Sequence, residues 1–153
     1  MRILVQRVRS ARVEWPGGAT EPIGPGLLGL VGLHREDGPA LLEPMAAKLV
    51  HLRVFEDDEG RMNRSLLECR GGLVLVPQFT LYADCRKGRR PAFVDALAPD
   101  AAHALYERFV ATCRQHAPAA RSGCFGAKMQ VHLVNDGPVT ILLDSAELGL
   151  PSR

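Results

Sequence analysis

The chain has 153 residues, of which 46% are hydrophobic, and its formal net charge is +2. This length predicts one domain over residues 1–153 with a real core, and the hydrophobic fraction excludes a disordered chain. The net charge is too small to identify a nucleic-acid-binding protein unless the cations are clustered.

The cysteines and the N-terminal sequence predict a cytoplasmic protein. The four cysteines contain no CxxC pair, and we expect free thiols in a reducing compartment. Charged residues interrupt the stretch Met1–Arg9 too often for a signal peptide. No apolar run approaches the ~20 residues of a membrane span, so no membrane partner is expected.

The first half of the chain is predicted to contain strands and one helix. Residues 2–8 are apolar with polar interruptions and predict a strand, with Ser10–Glu14 as a candidate continuation. Gly26–Leu33 is continuously apolar, which indicates a buried strand. Apolar residues recur at helical spacing over Pro39–Leu52, and a proline suits the first turn of this predicted helix. Residues 54–55 form a candidate short strand.

The second half is predicted to contain a second helix and three strands. Gly72–Val76 is a compact apolar run, and we expect Phe79–Tyr82 to extend this strand. One apolar stripe along Pro99–His116 predicts the second helix. Met129–Val134 and Val139–Leu143 predict two strands joined by a turn. This mixture indicates an α+β domain with a mixed, mainly antiparallel sheet and two main helices.

Two short segments beside buried-looking strands are the most informative part of the sequence. They are Pro77–Leu81 and Asn135–Thr140. Neither contains a Ser/His/Asp set, a metal-ligand cluster or a phosphate loop, and each combines Gly or Pro with a hydroxyl or an amide. This composition predicts a site built largely from main-chain groups, suited to recognising a small group attached to a larger molecule.

The first segment has a structural and a functional interpretation. Alternating polar and aromatic residues at Gln78, Phe79 and Thr80 suit an edge strand. Alternatively, a backbone N–H here faces a reacting carbonyl, where one well-aimed donor is typically worth ~3–4 kcal/mol. The Thr80 hydroxyl is a candidate nucleophile, although no adjacent base is visible in the sequence.

The dipeptide Gly137–Pro138 in the second segment also has two interpretations. A hairpin turn is the default. A cis peptide bond would instead turn rigid carbonyl groups toward one side. Such carbonyls could accept a hydrogen bond from an α-amino group and crowd one face of its α-carbon, which would make a chirality filter from backbone alone.

A run of five residues after the first segment contains four cations. They are Arg86, Lys87, Arg89 and Arg90. The run is either a solvated loop or a surface that binds the phosphates of a nucleic acid without reading its sequence.

Other motifs are expected to be structural. The glycines of Gly24–Gly29 lead into an apolar strand, which favours a tight turn over a dinucleotide site. The five histidines lack metal-ligand spacing, so no metal site or catalytic triad is expected. We interpret His132, on a predicted strand, as structural.

Residues that match one known family recur in order along nearly the whole chain. They are Met1–Val8, Ile23–Leu28, Phe55, Asp58, Gly60, Met62, Asn63, Gln78–Asp84, Arg86–Gly88, Arg90, Pro91, Leu105, Tyr106, Gly123, Phe125–Ala127, Met129 and Leu133–Thr140. With both segments in place, the chain resembles the D-aminoacyl-tRNA deacylases, which remove D-amino acids from mischarged tRNA. The resemblance implies the barrel-like α+β fold of that family and D-aminoacyl-tRNA as the substrate.

The resemblance further implies a homodimer with active sites at the interface. Gly137 and Pro138 of one subunit would form a cis dipeptide that enters the other subunit's pocket and rejects L-amino acids. Arg7 and Met129 match residues that support the orientation of this dipeptide. Glycine mischarged on alanine tRNA is also an expected substrate, because glycine has no side chain to reject.

The resemblance assigns roles to the first segment as well. The Phe79 N–H would stabilise the oxyanion, while Gln78 and Thr80 would line the pocket near the 3′-terminal adenosine. An older proposal for the family makes the equivalent of Thr80 a nucleophile. The resemblance implies that the terminal 2′-hydroxyl of the tRNA helps to activate water, so no cofactor or metal ion is expected.

Pro77 departs from the family pattern, which has serine before Gln-Phe-Thr. A related animal deacylase also has proline there, holds its Gly-Pro in trans and removes L-alanine from mischarged threonine tRNA. Phe79, Arg7 and Asn135–Thr140 favour the D-specific type. The alternatives are a deacylase of relaxed chirality that acts on L-alanyl-tRNA(Thr), and a non-catalytic tRNA-binding module that uses the basic run.

Overall fold

The computed structural model describes residues 1–151, which form eight β-strands and three α-helices. The strands are β1 (Arg2–Trp15), β2 (Gly18–Ala19), β3 (Gly26–Gly32), β4 (Phe55–Glu56), β5 (Met62–Arg64), β6 (Gly72–Pro77), β7 (Arg121–Ser122) and β8 (Gln130–Asp144). The α-helices are α1 (Leu42–Val50), α2 (Leu66–Cys69) and α3 (Pro99–His116), and two 3-10 helices cover Pro39–Leu41 and Phe79–Tyr82. This mixture confirms the predicted α+β class with two main helices, α1 and α3.

Strand β1 is the centre of a six-stranded sheet. It pairs antiparallel with β2, β3 and β8, while β3 pairs parallel with β6, and β6 parallel with β7. The sheet curls into half of a barrel. Strands β4 and β5 form a separate hairpin. The sheet is therefore mixed and mainly antiparallel, as the sequence predicted.

Helices α1 and α3 contribute to one large core with the sheet. The buried residues of α3 recur at helical spacing, as Leu105, Phe109 and Cys113 illustrate. Burial of one large apolar side chain is worth about 1.5–3 kcal/mol, so this stripe explains why the helix forms where it does. Strands β3 and β6 are buried on both faces, which accounts for their continuous apolar sequences.

The opposite face of the sheet carries a second apolar cluster. In the described chain it is built from strand and loop residues alone. Its buried members include Val8, Leu28 and Val74, and partly buried residues surround them. This face is thus less completely covered than the face under α1 and α3.

The segment Phe79–Tyr82 corrects one prediction, because it forms a 3-10 helix and does not extend β6. Strand β6 ends at Pro77, and the last ladder bond runs from the Gln78 N–H to the Val31 carbonyl oxygen at 2.7 Å. Proline has no N–H to donate to a sheet. The Gln78 backbone, at φ −146° and ψ 77°, then turns the chain away from the strand.

The segment Asn135–Thr140 corrects a second prediction, because it lies within β8 and does not join two strands as a hairpin turn. Gln6 pairs with Thr140 and Val8 with Asn135, so the register advances two residues along β1 and five along β8. The residues in between leave the ladder as a bulge with three extra residues on β8. Glycine and proline are typical of bulges as well as of turns, so their presence could not distinguish the two.

Candidate active site

A cavity of about 630 Å³ opens at the end of β6, beside the start of α3 and the segment that precedes β8. Its walls are mainly apolar with a few polar groups, as in many small-molecule sites. Of the predicted site residues, Gln78, Phe79 and Met129 line this cavity, together with Phe93 and Phe125.

The backbone N–H of Phe79 is a free donor at the edge of this cavity. Phe79 is the first residue of its 3-10 helix, where an N–H has no partner within the helix. Within residues 1–151 this N–H donates to no acceptor. A free donor beside an apolar cavity can stabilise negative charge that develops on a carbonyl oxygen.

Gln78 and Thr80 are joined by a short hydrogen bond from the Gln78 side-chain amide to the Thr80 hydroxyl. Thr80 is exposed, and it is not part of the cavity wall in the described chain. Its hydroxyl makes no hydrogen bond with a carboxylate or an imidazole of residues 1–151. An amide N–H cannot take a proton, so this pair does not have the geometry of an activated nucleophile.

Arg7 lies on β1 opposite the bulge of β8 and is only 6% exposed. Its guanidinium donates to the Val54 carbonyl oxygen at 2.5 Å and to the Asp136 carbonyl oxygen at 3.2 Å. The Asn135 side-chain amide donates to the carbonyl oxygens of Arg7, at 2.9 Å, and Val139, at 3.1 Å. These bonds tie the start of the bulge to β1 and join its two ends to each other, which fixes its shape.

The Asp136 carboxylate adds charge to this arrangement. Arg9 Nε lies 2.9 Å from one of its oxygens, and Arg7 Nε lies 3.4 Å from the other. The hydrogen bond from Arg9, together with the charges of both arginines, lowers the pKa of Asp136 below its ordinary value. The carboxylate therefore stays ionised near neutral pH.

Gly137 and Pro138 are exposed residues of the bulge. The Gly137 φ is +119°, which L side chains rarely adopt. A Cβ at Gly137 would lie 2.6 Å from Arg7 Nη2 and 2.9 Å from Val139 Cγ2. Glycine is therefore required here by both conformation and space.

The Gly137–Pro138 peptide bond is trans, since no peptide bond among the described residues is cis. This finding corrects the cis dipeptide that the family resemblance implied. A trans bond before proline is favoured by about 0.5–1 kcal/mol in simple peptides. The hydrogen bonds from Arg7 and Asn135 are all made with the trans form, so they are compatible with that preference.

The four cations of the basic run lie on an exposed loop, called the basic loop below. They are Arg86, Lys87, Arg89 and Arg90. Two backbone hydrogen bonds between Asp84 and Ala92, of 2.7 and 2.9 Å, close this loop. Arg86 pairs with Asp84 at 2.7 Å, and this hydrogen bond lowers the pKa of Asp84 to about 2. The other three cations form no ion pair within residues 1–151.

The predicted site residues therefore form two groups within one chain. One group, Gln78, Phe79 and Met129, lines the cavity at the end of β6, and the base of the basic loop directly precedes the cavity residue Phe93. The other group consists of Gly137–Pro138 in the bulge of β8 and Arg7 on β1, which holds that bulge. In the part of the chain that the structure describes, no bulge residue lines the cavity.

Phe93 and Phe125 are cavity residues to which the sequence patterns assigned no role. The Phe93 ring meets the Phe79 ring edge to face, with centroids 4.9 Å apart. The Phe125 ring stacks on His103 at 4.8 Å. An aromatic residue shortly after a basic run is a signal that could have identified Phe93. Phe125 lies in a loop, and no spacing in the sequence marks it.

The remaining motifs have structural roles or carry no site. A Cβ at Gly26 would lie 2.0 Å from the Gly72 carbonyl oxygen, so this glycine allows close strand pairing. His132 pairs with Glu14 at 3.1 Å on the surface. All four cysteines are free, as predicted. Within residues 1–151, no helix is both long and apolar enough to span a membrane.

Solved structures share this fold. One described as c-Myc DNA unwinding element binding protein has a TM-score of 0.88 and 39% identity, over 95% of this chain and 99% of that one. Another, described as a probable eukaryotic D-amino acid tRNA deacylase, has a TM-score of 0.81 over 93% of this chain and 97% of that one. At 21% identity, the second supports the fold alone.

Sequence relatives agree over nearly the full chain. A family model described as D-Tyr-tRNA(Tyr) deacylase matches residues 4–144. The D-aminoacyl-tRNA deacylase of Thermomicrobium roseum is 53% identical over 97% of this chain and 96% of that protein. The D-aminoacyl-tRNA deacylase of Stutzerimonas stutzeri is 53% identical over 95% of this chain and 100% of that protein. The chain therefore belongs to the D-aminoacyl-tRNA deacylases, a family of hydrolases that act on an ester bond.

Proposed function

We propose that the chain hydrolyses the ester that joins a D-amino acid, or glycine mischarged on alanine tRNA, to the 3′ end of tRNA. The observation that carries this proposal is the free Phe79 N–H at the edge of a mainly apolar cavity of about 630 Å³. Small-molecule sites occupy roughly 300–1,000 Å³, so the volume suits an aminoacyl group with part of its adenosine.

In the proposed reaction, water attacks the carbonyl carbon of the ester. The Phe79 N–H stabilises the resulting oxyanion, a contribution of ~3–4 kcal/mol for one well-placed donor. The carbon–oxygen bond to the ribose then breaks, and the proton that water loses ends on the departing tRNA hydroxyl. Since Thr80 contacts no base in the described chain, we assign the activation of water to the neighbouring 2′-hydroxyl of the tRNA. Gln78 and Thr80 are assigned to binding of the terminal adenosine.

The proposed active site needs a second copy of the chain. Gly137–Pro138 is exposed and firmly held, but it lies outside the cavity of its own chain. We therefore assign it to the cavity of a partner subunit, where its main chain would crowd an L side chain. Arg7 would set the bulge that carries the filter, and Met129 would support it from the cavity wall.

An apolar row on the less covered face of the sheet supports this homodimer. Leu4 of β1 pairs with Leu142 of β8 and with Leu30 of β3, and Leu30 pairs with Val76 of β6. Directly paired residues point to the same face of a sheet. The row therefore continues the second apolar cluster toward solvent, and Leu142 is 45% exposed. Leu4 and Leu30 are half-buried and Val76 is buried, so Leu142 is the exposed end of an apolar row that a second copy of the chain could cover.

The basic loop is proposed to hold the tRNA backbone beside the cavity. Lys87, Arg89 and Arg90 are exposed and free of ion pairs within residues 1–151, so they can meet phosphates. Arg86 belongs to the same surface, although it already pairs with Asp84. With this substrate, we propose that the enzyme acts in the cytoplasm, where translation takes place.

The proposal is tested by following deacylation of D-Tyr-tRNA and L-Tyr-tRNA side by side, with purified protein and added chelator. Rapid loss of the D-ester alone is the expected result. If neither ester were hydrolysed, and glycyl-tRNA and L-alanyl-tRNA tested next were also stable, the proposal would be contradicted. That result would favour the tRNA-binding module.

A second candidate function is deacylation with relaxed chirality, including removal of L-alanine from threonine tRNA. Two observations favour it: the Gly137–Pro138 bond is trans, and Pro77 lines the cavity where the family pattern has serine. The D-specific names of relatives at 53% identity favour the first candidate. Hydrolysis of D- and L-alanyl-tRNA at similar rates would select the second candidate, and a strong preference for the D-ester would select the first.

A further inference from the structure

We infer that Phe93 is a positioning residue that holds the Phe79 N–H at the edge of the cavity and links it to the basic loop. The inference rests on the proposed function, since the direction of this N–H matters only if it stabilises an oxyanion. Phe93 acts through Phe79 and takes no direct part in the reaction.

Phe79 is held weakly by its own segment. Its side chain is 57% exposed. One backbone bond precedes it, from the Gln78 N–H to the Val31 carbonyl oxygen at 2.7 Å. The next, from the Leu81 N–H to the Gln78 carbonyl oxygen, is 3.3 Å long and belongs to a short 3-10 helix, whose hydrogen-bond geometry is poorer than that of an α-helix. The edge-to-face contact with Phe93, at 4.9 Å and 68°, is the aromatic contact that steadies Phe79.

Phe93 itself lies in a segment that is anchored on both sides. Before it, Asp84 and Ala92 exchange backbone hydrogen bonds of 2.7 and 2.9 Å. After it, the Leu97 N–H donates to the Leu33 carbonyl oxygen at 2.9 Å, at the end of β3. The Phe93 ring is therefore fixed relative to the sheet more firmly than the Phe79 ring that it contacts.

The anchor before Phe93 is also the base of the basic loop. The Asp84–Ala92 bonds close that loop, and Phe93 is the next residue along the chain. Arg86 is held back onto Asp84, whereas Lys87, Arg89 and Arg90 remain available for phosphates. A tRNA backbone bound by the loop would thus rest on the same short segment that orients the Phe79 N–H.

The test compares wild type with Phe93→Ala and Phe93→Leu on D-Tyr-tRNA, measuring kcat and KM separately. A misplacement of about 1 Å near the reacting group costs up to ~100-fold in rate, and we expect kcat to fall about 10-fold in Phe93→Ala. The KM for tRNA should change less than about threefold, because the cations are untouched. The larger side chain of Phe93→Leu should restore part of the lost kcat.

The matched control is Val94→Ala, which shortens the exposed neighbour of Phe93 and should leave both constants as in wild type. A wild-type kcat in Phe93→Ala would overturn the inference while the proposed function stood. A raised KM with unchanged kcat would overturn it as well, since Phe93 would then act in tRNA binding and not in positioning.

A second measurement needs no activity. The ¹⁵N order parameter of the Phe79 amide should be near ~0.85 in wild type and below ~0.6 in Phe93→Ala, with Val94→Ala unchanged. An unchanged order parameter in Phe93→Ala would overturn the inference. If wild-type protein hydrolysed none of the esters but the Phe79 order parameter still fell in Phe93→Ala, the proposed function would be overturned. Phe93 would then remain the residue that holds Phe79.

Discussion

At the scale of single residues, Gly137 carries the clearest constraint. Gly137→Ala would place a methyl group 2.6 Å from Arg7 Nη2 in a backbone conformation of φ +119°. We expect the bulge to shift and the D-over-L selectivity on tyrosyl-tRNA to fall about 10-fold, because placement within about 1 Å governs such discrimination. Thr80→Ala should change this selectivity less, because Thr80 lies outside the cavity wall in the described chain.

The control for this prediction is Gly60→Ala. Gly60 also has a positive φ, of +76°, but a Cβ there would meet nothing within 4 Å. Both variants therefore carry backbone strain, and only Gly137→Ala adds a clash with Arg7. Selectivity that stayed at the wild-type value in Gly137→Ala, measured as the ratio of D- to L-ester hydrolysis rates, would contradict the assigned filter.

Asp84 gives a prediction about pH. Its hydrogen bond with Arg86 lowers its folded-state pKa to about 2 from an ordinary 3.8. A carboxyl group with a lowered folded-state pKa stabilises the fold above the unfolded pKa and loses that effect as pH falls through the folded pKa. The free energy of unfolding should therefore be higher in wild type than in Asp84→Asn, and this difference should be larger at pH 5 than at pH 2. Urea titrations that gave equal differences at both pH values would contradict this assignment.

At the scale of elements, sequence periodicity predicted the helices and strands whose position is determined by burial of their own apolar residues. The spacing of Leu105, Phe109 and Cys113 placed α3, and the continuous apolar run of β3 indicated a strand buried on both faces. For the two candidate functional segments the predicted backbone was wrong, because one forms a 3-10 helix and the other a bulge within β8. The shape of the bulge depends on Arg7 and Val54, which are distant in sequence, so Gly-Pro alone indicated only a turn.

The basic loop is the element whose role can be tested by charge. Replacement of Lys87, Arg89 and Arg90 by glutamine should weaken tRNA binding at low salt. The slope of log affinity against log salt concentration should become shallower by about 0.7–0.9 for each phosphate that the loop no longer neutralises. Arg86→Gln alone should have a smaller effect, because Asp84 already engages that guanidinium. Single-turnover rates at saturating enzyme should remain close to wild type, since the reacting groups are unchanged.

A matched triple variant controls for net charge. Lys48, Arg61 and Arg108 are exposed cations on α1, the β4–β5 turn and α3. Their replacement by glutamine removes the same total charge away from the basic loop. Equal losses of affinity in both triple variants would mean that tRNA responds to the overall charge of the protein and would remove the loop from the interface.

At the scale of the whole molecule, the sequence predicted a set of site residues but could not predict how the fold groups them. Gln78, Phe79 and Met129 meet at the cavity because β6 and the segment before β8 converge there. Arg7 and Gly137–Pro138 meet at the bulge through pairing between β1 and β8. Periodicity reports burial within one chain, and it contains no information about a partner subunit that would join the two groups.

The proposed dimer therefore makes the last prediction. Purified protein should have a mass in solution of twice the 16.6 kDa of one chain, by light scattering. Leu142→Asp places a charge in the apolar row on the exposed sheet face, where burial against a second copy would be prohibitive. This variant should have the mass of one chain and lose deacylation, because each cavity would lack the partner's Gly137–Pro138.

Leu148→Asp is the control, since Leu148 is also exposed and apolar but lies in the turn after β8. It should retain the mass and the activity of wild type. Dilution provides an independent check, because activity per chain should fall once the dimer dissociates. A folded, monomeric Leu142→Asp with full and chirally selective activity would show that one chain completes the site alone, and the Gly137–Pro138 filter would then have to act within its own subunit.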